Sequence, residues 1–152
     1  MPADAEDLWP VLADPVLYEF TGGTPPTLPE LQQRVARWSS GGPADGGQTW
    51  LNWLVRVDGE AAGYVQATVR GRVATIAYVV GTKWQGRGLA GAATRRMIEI
   101  LAARGVEVIE ARIHPRHAAS AGVAAANGLV PLSDLDAAGE QLWRRSVAPQ
   151  VR

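Results

Sequence analysis

The residues with the clearest chemical meaning in this chain are the glycines of one short stretch, Gln85-Gly86-Arg87-Gly88-Leu89-Ala90-Gly91. An apolar segment precedes the stretch and a helical pattern follows it, so the stretch joins a strand to a helix. The first N–H groups of a helix have no partner within the helix, and the helix dipole favours negative charge there. Because glycine has no Cβ atom, an anion can approach this backbone closely. The stretch therefore predicts a phosphate-binding site.

Strands and a helix must hold this stretch in place. Residues 50–57, 61–70 and 73–80 read as three strands joined by tight turns, which makes an antiparallel meander. A helix over residues 89–104 and a strand over residues 106–113 follow. A strand, a crossover helix and a second strand form a right-handed parallel unit, so the last strand pairs in parallel with the third. The sequence predicts an α+β fold whose meander turns parallel at its centre.

Other elements flank this unit, and together they predict one domain over residues 1–152. Residues 16–20 fit either a strand or a turn, and residues 39–48 form a glycine-rich loop. A capping box, Thr27-x-x-Glu30, begins a helix. The remaining predictions are helices over residues 4–12 and 118–127, and strands over residues 129–132 and 141–147.

Composition excludes several kinds of protein. The chain has 152 residues, 47% hydrophobic and 20% charged, which is typical of a globular domain. It has no cysteine, which excludes disulfides and thiolate chemistry, and its two histidines are too far apart in sequence to predict a metal site. No apolar run has membrane-spanning length, and residues 1–7 are acidic and unlike a signal peptide, so we expect a cytoplasmic location.

The formal net charge is zero, but the two halves of the chain differ. Residues 1–66 contain nine acids and three arginines, and residues 67–152 contain six acids and twelve bases. This asymmetry is compatible with a polyanionic ligand on the C-terminal half and a cationic one on the N-terminal half. Neither half has the dense basic and aromatic stripe of a nucleic-acid-binding protein.

The glycines also match a dinucleotide-binding fingerprint, Gly86-x-Gly88-x-x-Gly91, and acids follow about 20 residues later at Glu107 and Glu110. This interpretation would make the protein a nucleotide-dependent oxidoreductase. Five residues separate the strand from the first glycine, the flanking strands form hairpins, and only 61 residues follow Gly91. These features disfavour a doubly wound sheet, and the oxidoreductase remains an alternative.

A second pattern uses the same residues. The segment Gln85-x-x-Gly88-x-Ala90 follows an apolar strand and begins a helix, and it resembles the acyl-CoA-binding motif of the GNAT superfamily of N-acetyltransferases. The resemblance covers about residues 8–146. It includes the segments His114-Pro115-Arg116-His117-Ala118-Ala119-Ser120 and Ala126-Asn127-Gly128-Leu129-Val130. The pattern is most similar to the branch that contains ribosomal-protein N-terminal acetyltransferases.

The resemblance implies a GNAT-like mixed sheet with helices on both faces, and an acetyl-CoA-dependent transfer of an acetyl group to a primary amine. In the family, loop amides bind the cofactor pyrophosphate, and the central strand holds the pantetheine arm by its backbone. The parallel strands should splay at their carboxyl ends and admit the thioester. The implied cofactor-binding residues are Tyr78, Val79, Val80, Gln85, Gly86, Arg87, Gly88, Leu89, Ala90 and His117.

The resemblance also implies a set of catalytic roles. An N–H of Val79 or Val80 would stabilise the oxyanion. Ser120 is the candidate acid or sulfur-positioning group, because many family members use a tyrosine in this helix and this chain has no tyrosine after Tyr78. The main candidate bases are Glu110, in the second parallel strand, and His114, which follows it. Glu19 and His117, or a water relay, are further alternatives.

The acceptor amine should bind between the N-terminal helices and the sheet. Tyr18, Glu19, Trp53 and Tyr64 are the expected lining residues, and an acidic, aromatic-rich surface favours a cationic amine. The acceptor class stays open among protein N-termini, antibiotics, polyamines and small metabolites. Family members are often homodimers. A non-catalytic acyl-CoA-binding module is the main alternative, because the family tyrosine is missing.

Overall fold

The computed structural model describes residues 2–18, 24–43 and 46–147. In the described part, four α-helices and six strands follow one another in the order that the sequence predicts, with a short 3₁₀ turn at each of two positions. The helices are α1 (Pro2–Leu12), α2 (Leu28–Ser39), α3 (Leu89–Ala103) and α4 (Ala118–Ala126). The strands are β1 (Thr49–Val57), β2 (Glu60–Arg70), β3 (Val73–Val80), β4 (Val108–Ile113), β5 (Val130–Leu135) and β6 (Gln141–Ser146).

The six strands form one mixed sheet in the order β1-β2-β3-β4-β6-β5. The meander β1-β2-β3 is antiparallel, β3 and β4 are parallel, and β6 pairs antiparallel with both β4 and β5. Helix α3 provides the crossover between the parallel strands, as strand handedness requires. The predicted α+β class and the central parallel pair are confirmed.

Helices cover both faces of the sheet, and each face has its own apolar core. One face packs against α3 and α4, and its buried residues include Ile76, Met97, Leu101, Ile109 and Ala124. The opposite face packs against α1 and α2, and its buried residues include Leu8, Leu31, Val35, Ala62 and Val80. Burying one such leucine or isoleucine stabilises the fold by about 1.5–3 kcal/mol. The two layers therefore fix the central strands from both sides.

The predicted capping box is present at the start of α2. The Oγ1 atom of Thr27 accepts from the Glu30 N–H at 3.3 Å, and Glu30 Oε1 accepts from the Thr27 N–H at 2.9 Å. Between α1 and α2, the ambiguous segment begins as a 3₁₀ turn at Pro15–Tyr18 rather than a strand. Asp14 holds this turn, since its Oδ1 accepts from Val16 N–H and its Oδ2 accepts from Thr82 Oγ1–H.

Candidate active site

The parallel strands β3 and β4 separate partway along their length. Their register ends at the pair Thr75–Glu110, although β3 continues to Val80 and β4 continues to Ile113. On their outer sides, β3 stays paired with β2 as far as Val80, and β4 stays paired with β6 as far as Ile113. The splay expected at the carboxyl ends is therefore present. The Arg72 carbonyl faces β4 and the Gly81 N–H faces β2. By alternation, the backbone groups of Ile76, Tyr78 and Val80 therefore face into the splay.

The glycine-rich stretch lies directly beyond this splay. Gly86 and Gly88 have φ angles of 82° and 76°, a region that residues with a Cβ atom rarely adopt. Gly88 is the N-cap of α3 and offers no side-chain bond to the helix. The first helical bond runs from Ala92 N–H to the carbonyl of Gly88, at 3.0 Å. The N–H groups of residues 89–91 therefore have no helical acceptor and form an anion-binding N-terminus.

The space above these glycines is open. A Cβ atom placed on Gly86, Gly88 or Gly91 would meet no other atom within 4 Å. Gly91 is informative because it has neither a positive φ nor a close neighbour to explain a glycine, which costs about 0.5–1 kcal/mol inside a helix relative to alanine. An open, uncovered backbone next to three free amides fits a bound diphosphate.

One contact joins the stretch to the end of β3, and a second joins the residue after β3 to β2. The side-chain amide of Gln85 donates to the carbonyl of Val80 at 3.0 Å. The N–H of Gly81 donates to the carbonyl of Ala62 in β2 at 2.8 Å. The first contact gives the motif glutamine a structural role, and it occupies one carbonyl of the strand that we expected to hold pantetheine.

Strands β2 and β3 also approach closely at the level of the splay. Gly63 in β2 lies opposite Val80. A Cβ atom at Gly63 would collide with the carbonyl group of Val79. Only glycine fits at this position without moving Val79, so the residue sets the path of β3 next to the predicted thioester site.

Ser120 and Tyr78 form a hydrogen-bonded pair across the opening. The hydroxyl of Tyr78 donates to the backbone carbonyl of Ser120 at 2.7 Å, and the hydroxyl of Ser120 donates to the Tyr78 oxygen at 3.2 Å. Burial raises the pKa of the Tyr78 hydroxyl, and the bond from Ser120 opposes part of that rise. The sequence singled out only the backbone of Tyr78, but its side chain brings a phenol to the start of α4.

The two main candidate bases lie at different heights along β4. Glu110 is level with Thr75, where the strands still pair, and Val79 lies four residues further, or about 13 Å along the strand. The Oε2 atom of Glu110 also accepts two bonds from Arg144, at 3.0 and 2.7 Å. The structure therefore does not bring Glu110 to the level of the proposed transfer.

His114 lies four residues beyond Glu110, directly after the end of β4 at Ile113 and therefore at the carboxyl end of the splay. Its Nδ1 atom accepts from the Arg116 N–H at 3.1 Å, and its carbonyl accepts from the His117 N–H at 2.9 Å. These bonds fold the segment between β4 and α4 into a tight turn. His117 is the N-cap of α4, but its side chain makes no capping bond.

A cavity of about 310 Å³ lies between α1, α2 and the first two strands. Trp53 and Tyr64, two of the four expected acceptor residues, line it. Tyr18 does not, since its hydroxyl donates to the carbonyl of Leu12 at 2.8 Å. Glu19 lies outside the described residues. The sequence missed the other lining residues, among them Asp4, Leu8, Val35, Trp38, Trp50 and Asn52.

Two further observations limit the chemistry. Within the described residues, no three His, Cys, Asp or Glu side chains are grouped so that they could hold a metal ion. None of the helices in the described ranges is both long and apolar enough to cross a membrane.

Known families and structures resemble this chain. A sequence model of the acetyltransferase (GNAT) domain matches residues 1–130. No curated protein matches the sequence. Among solved structures, an acetyltransferase from Thermus thermophilus is 21% identical, with a TM-score of 0.77 over 97% of this chain and 93% of the other.

Two further structures were solved with coenzyme A. The ribosomal L7/L12 α-N-protein acetyltransferase RimL is 17% identical, with a TM-score of 0.83 over 97% of this chain and 90% of RimL. The aminoglycoside acetyltransferase AAC(6')-Ib is 18% identical, with a TM-score of 0.77 over 96% of this chain and 91% of the other. At these identities, the structural likeness shows a shared fold.

Proposed function

The chain belongs to the GNAT acetyltransferase family, and from this premise we propose that it transfers an acetyl group from acetyl-CoA directly to a primary amine. The observation that carries this proposal is the continuity of two features. The splay of β3 and β4 opens onto the glycine-rich N-terminus of α3. A long ligand with a diphosphate at one end and a reactive group at the other would span both. Structures with the same fold contain coenzyme A, which supports this assignment.

Different residues of this chain would bind different parts of acetyl-CoA. The amides of residues 85–91 would hold the diphosphate, with the charge of Arg87 nearby. The backbone of Tyr78, on the edge that faces the splay, would hold the pantetheine arm as an added strand, and His117 would contact it from α4. When bound, acetyl-CoA supplies an activated carbonyl group. Of the two N–H groups expected to stabilise the negative charge on its oxygen, that of Val80 is on the edge that faces the splay, whereas that of Val79 faces β2.

We assign the proton transfers to residues at the level of Val79. The Tyr78 hydroxyl would give a proton to the departing sulfur. The Ser120 hydroxyl already donates to the Tyr78 oxygen, so it would stabilise the phenolate that remains. Ser120 is then a positioning residue rather than the acid itself. His114, directly or through water, is the preferred base over Glu110, which lies about 13 Å further back along the strand.

The acceptor would enter from the face of α1 and α2 and use the 310 Å³ cavity. Asp4 is the one carboxylate among its lining residues, and Trp38, Trp50 and Tyr64 supply aromatic surface, which favours an ammonium group. The side chain of Trp53 packs against the core of the opposite face. Acceptors of the relatives include a ribosomal protein and aminoglycosides, by their names. We further propose that residues 1–152 form one domain and that the protein is cytoplasmic. The proposal includes a homodimer, and analytical ultracentrifugation would distinguish a homodimer from a monomer.

Thermal shift separates the proposed cofactor from the dinucleotide alternative. Acetyl-CoA at 100 times its Kd should stabilise the protein by about 2.7 kcal/mol, whereas NAD should leave the melting temperature unchanged. Release of free CoA in the presence of an amine panel then tests transfer. Stabilisation by NAD alone would contradict the cofactor assignment. Tight acetyl-CoA binding with no turnover on any amine would contradict the proposed catalysis.

A further inference from the structure

A second cavity, of about 200 Å³, adjoins the proposed acceptor cavity beside the last turn of α2. The two cavities share Trp38, Trp50 and Asn52 as walls. The second cavity is lined in addition by Arg37, Gln66, Ala67 and Thr68. Its position next to the acceptor cavity suggests that it receives a part of the acceptor remote from the reacting amine.

Gln66 is the unusual residue of this second cavity. Its Oε1 atom is buried and has no hydrogen-bond partner within the described part of the chain. A buried carbonyl without a partner destabilises a protein, and native structures contain only a few such groups. The residue lies opposite Asn52 in the β1–β2 pair. A ligand with an N–H or O–H group in the cavity would supply the missing donor after a small rotation of the amide.

The other groups of the cavity indicate what else this ligand carries. None of its seven lining residues is acidic, and the one charged side chain is Arg37. The guanidinium of Arg37 lies over the ring of Trp50, 5.9 Å from its centroid. The ring in turn is fixed, because its Nε1–H donates to Gln48 Oε1 at 2.9 Å. A second ammonium group is therefore disfavoured here, whereas a carbonyl or carboxylate oxygen would be attracted.

The register of the sheet gives the distance from this cavity to the proposed transfer. Gln66 pairs with Ala77, and Tyr64, on the same face, pairs with Val79. Gln66 is therefore a diagonal neighbour of Val79, at about 7–8 Å. An extended peptide advances about 3.3–3.6 Å per residue, so this distance corresponds to about two residues.

We infer that the cavity of Arg37 and Gln66 binds a backbone amide about two residues from the acetylated amine, and that the acceptor is a peptide or protein N-terminus. A peptide amide carries the N–H that Gln66 Oε1 lacks and the carbonyl that Arg37 attracts. A polyamine or an aminoglycoside would instead bring ammonium groups next to Arg37. The inference rests on the proposed acetyl transfer and narrows its acceptor.

The test compares three acceptors at saturating acetyl-CoA: a tripeptide amide, its depsipeptide analogues with one amide N–H replaced by an ester oxygen, and 1,4-diaminobutane. We expect kcat/KM for the tripeptide to exceed that for one of the depsipeptides by about tenfold, since a hydrogen bond to a buried polar group contributes about 1.5 kcal/mol. Equilibrium binding of the same peptides in the presence of CoA should show the same preference.

Gln66→Leu should abolish the discrimination between amide and ester while raising the melting temperature, because the unpaired oxygen is removed. Gln32→Leu, the same change on the exposed surface of α2, is the matched control and should alter neither property. Equal use of the peptide and all depsipeptides, or preferred use of the diamine, would overturn the inference. Turnover on none of the amines would instead overturn the proposed function.

Discussion

Gly91 offers a substitution that should strengthen the fold and weaken cofactor binding at the same time. It lies in the first turn of α3, with open space above it and no positive φ angle. Gly91→Glu removes a residue that costs about 0.5–1 kcal/mol in a helix. It also places a negative charge at a helix N-terminus, which contributes about 0.3–1 kcal/mol more. The sum of about 1–2 kcal/mol should raise the melting temperature by about 2–8 °C for a chain of this size.

The same carboxylate would project into the space assigned to the diphosphate. Two unit charges 4 Å apart at an effective dielectric constant of 20 repel by about 4 kcal/mol, and partial exposure reduces this to about 1–3 kcal/mol. The affinity for CoA should therefore fall by about 5- to 150-fold.

Differential scanning calorimetry without ligand and titration calorimetry with CoA measure the two effects separately. Gly91→Ala is the matched control, since it gives the helix gain without the charge and should retain CoA binding. If Gly91→Glu bound CoA as tightly as the wild type in low salt, the diphosphate could not lie on this helix N-terminus. A lower melting temperature would show that the space above Gly91 is not open.

Three further predictions concern the catalytic pair, the splay and the β5–β6 turn. Tyr78→Phe should lower kcat by about 10²- to 10⁴-fold, and Ser120→Ala should have little further effect in that background, because it acts through Tyr78. The wild-type protein should bind CoA more tightly than desulfo-CoA, and the Tyr78→Phe variant should lose this preference. If the rate losses of Tyr78→Phe and Ser120→Ala were additive in the double variant, the two residues would not act as a pair. Gly63→Ala should lower both stability and kcat, because the new methyl group collides with the Val79 carbonyl; a crystal structure with an unmoved Val79 would contradict this reason. Bonds from the Glu140 N–H, from Arg112 and from the Ala138 N–H hold the pKa of Asp136 below its ordinary value, so its contribution to stability is present above about pH 4 and is lost at lower pH. The melting-temperature difference between wild type and Asp136→Asn should accordingly shrink in acid, and a difference independent of pH would exclude this role.

Much of the fold could be predicted because local patterns and topology agree. The capping box at Thr27 and the turns between strands are short-range signals, and the crossover rule then fixes the parallel pair. The buried face of α3 is harder to predict. Thr94 and Ile98 are buried together with Met97 and Leu101, because the helix contacts both the sheet and α4. The periodicity of apolar residues does not show how many other elements pack against a helix.

The proposed phosphate site could be identified in the sequence because its parts are contiguous. The Tyr78–Ser120 pair could not, since the two residues are 42 positions apart and meet only through the fold. Glu110 is a similar case, because only the end of the β3–β4 register shows that it lies behind the splay. The residues around the acceptor cavity looked like core positions. Trp38, for example, belongs to the apolar stripe of α2, and its ring packs 5.1 Å from that of Tyr64.

Transfer of an acetyl group to an amine is the central claim, and the most direct measurement follows both products in one reaction. The chain has no cysteine, so a thiol reagent would report only the CoA released. With acetyl-CoA and a tripeptide amide, we predict that CoA release and acetylated peptide, measured by mass spectrometry, appear in equal amounts. Both should fall together in Gly91→Glu at limiting acetyl-CoA. Release of CoA without acetylated amine, or no release with any amine in the panel, would contradict the account.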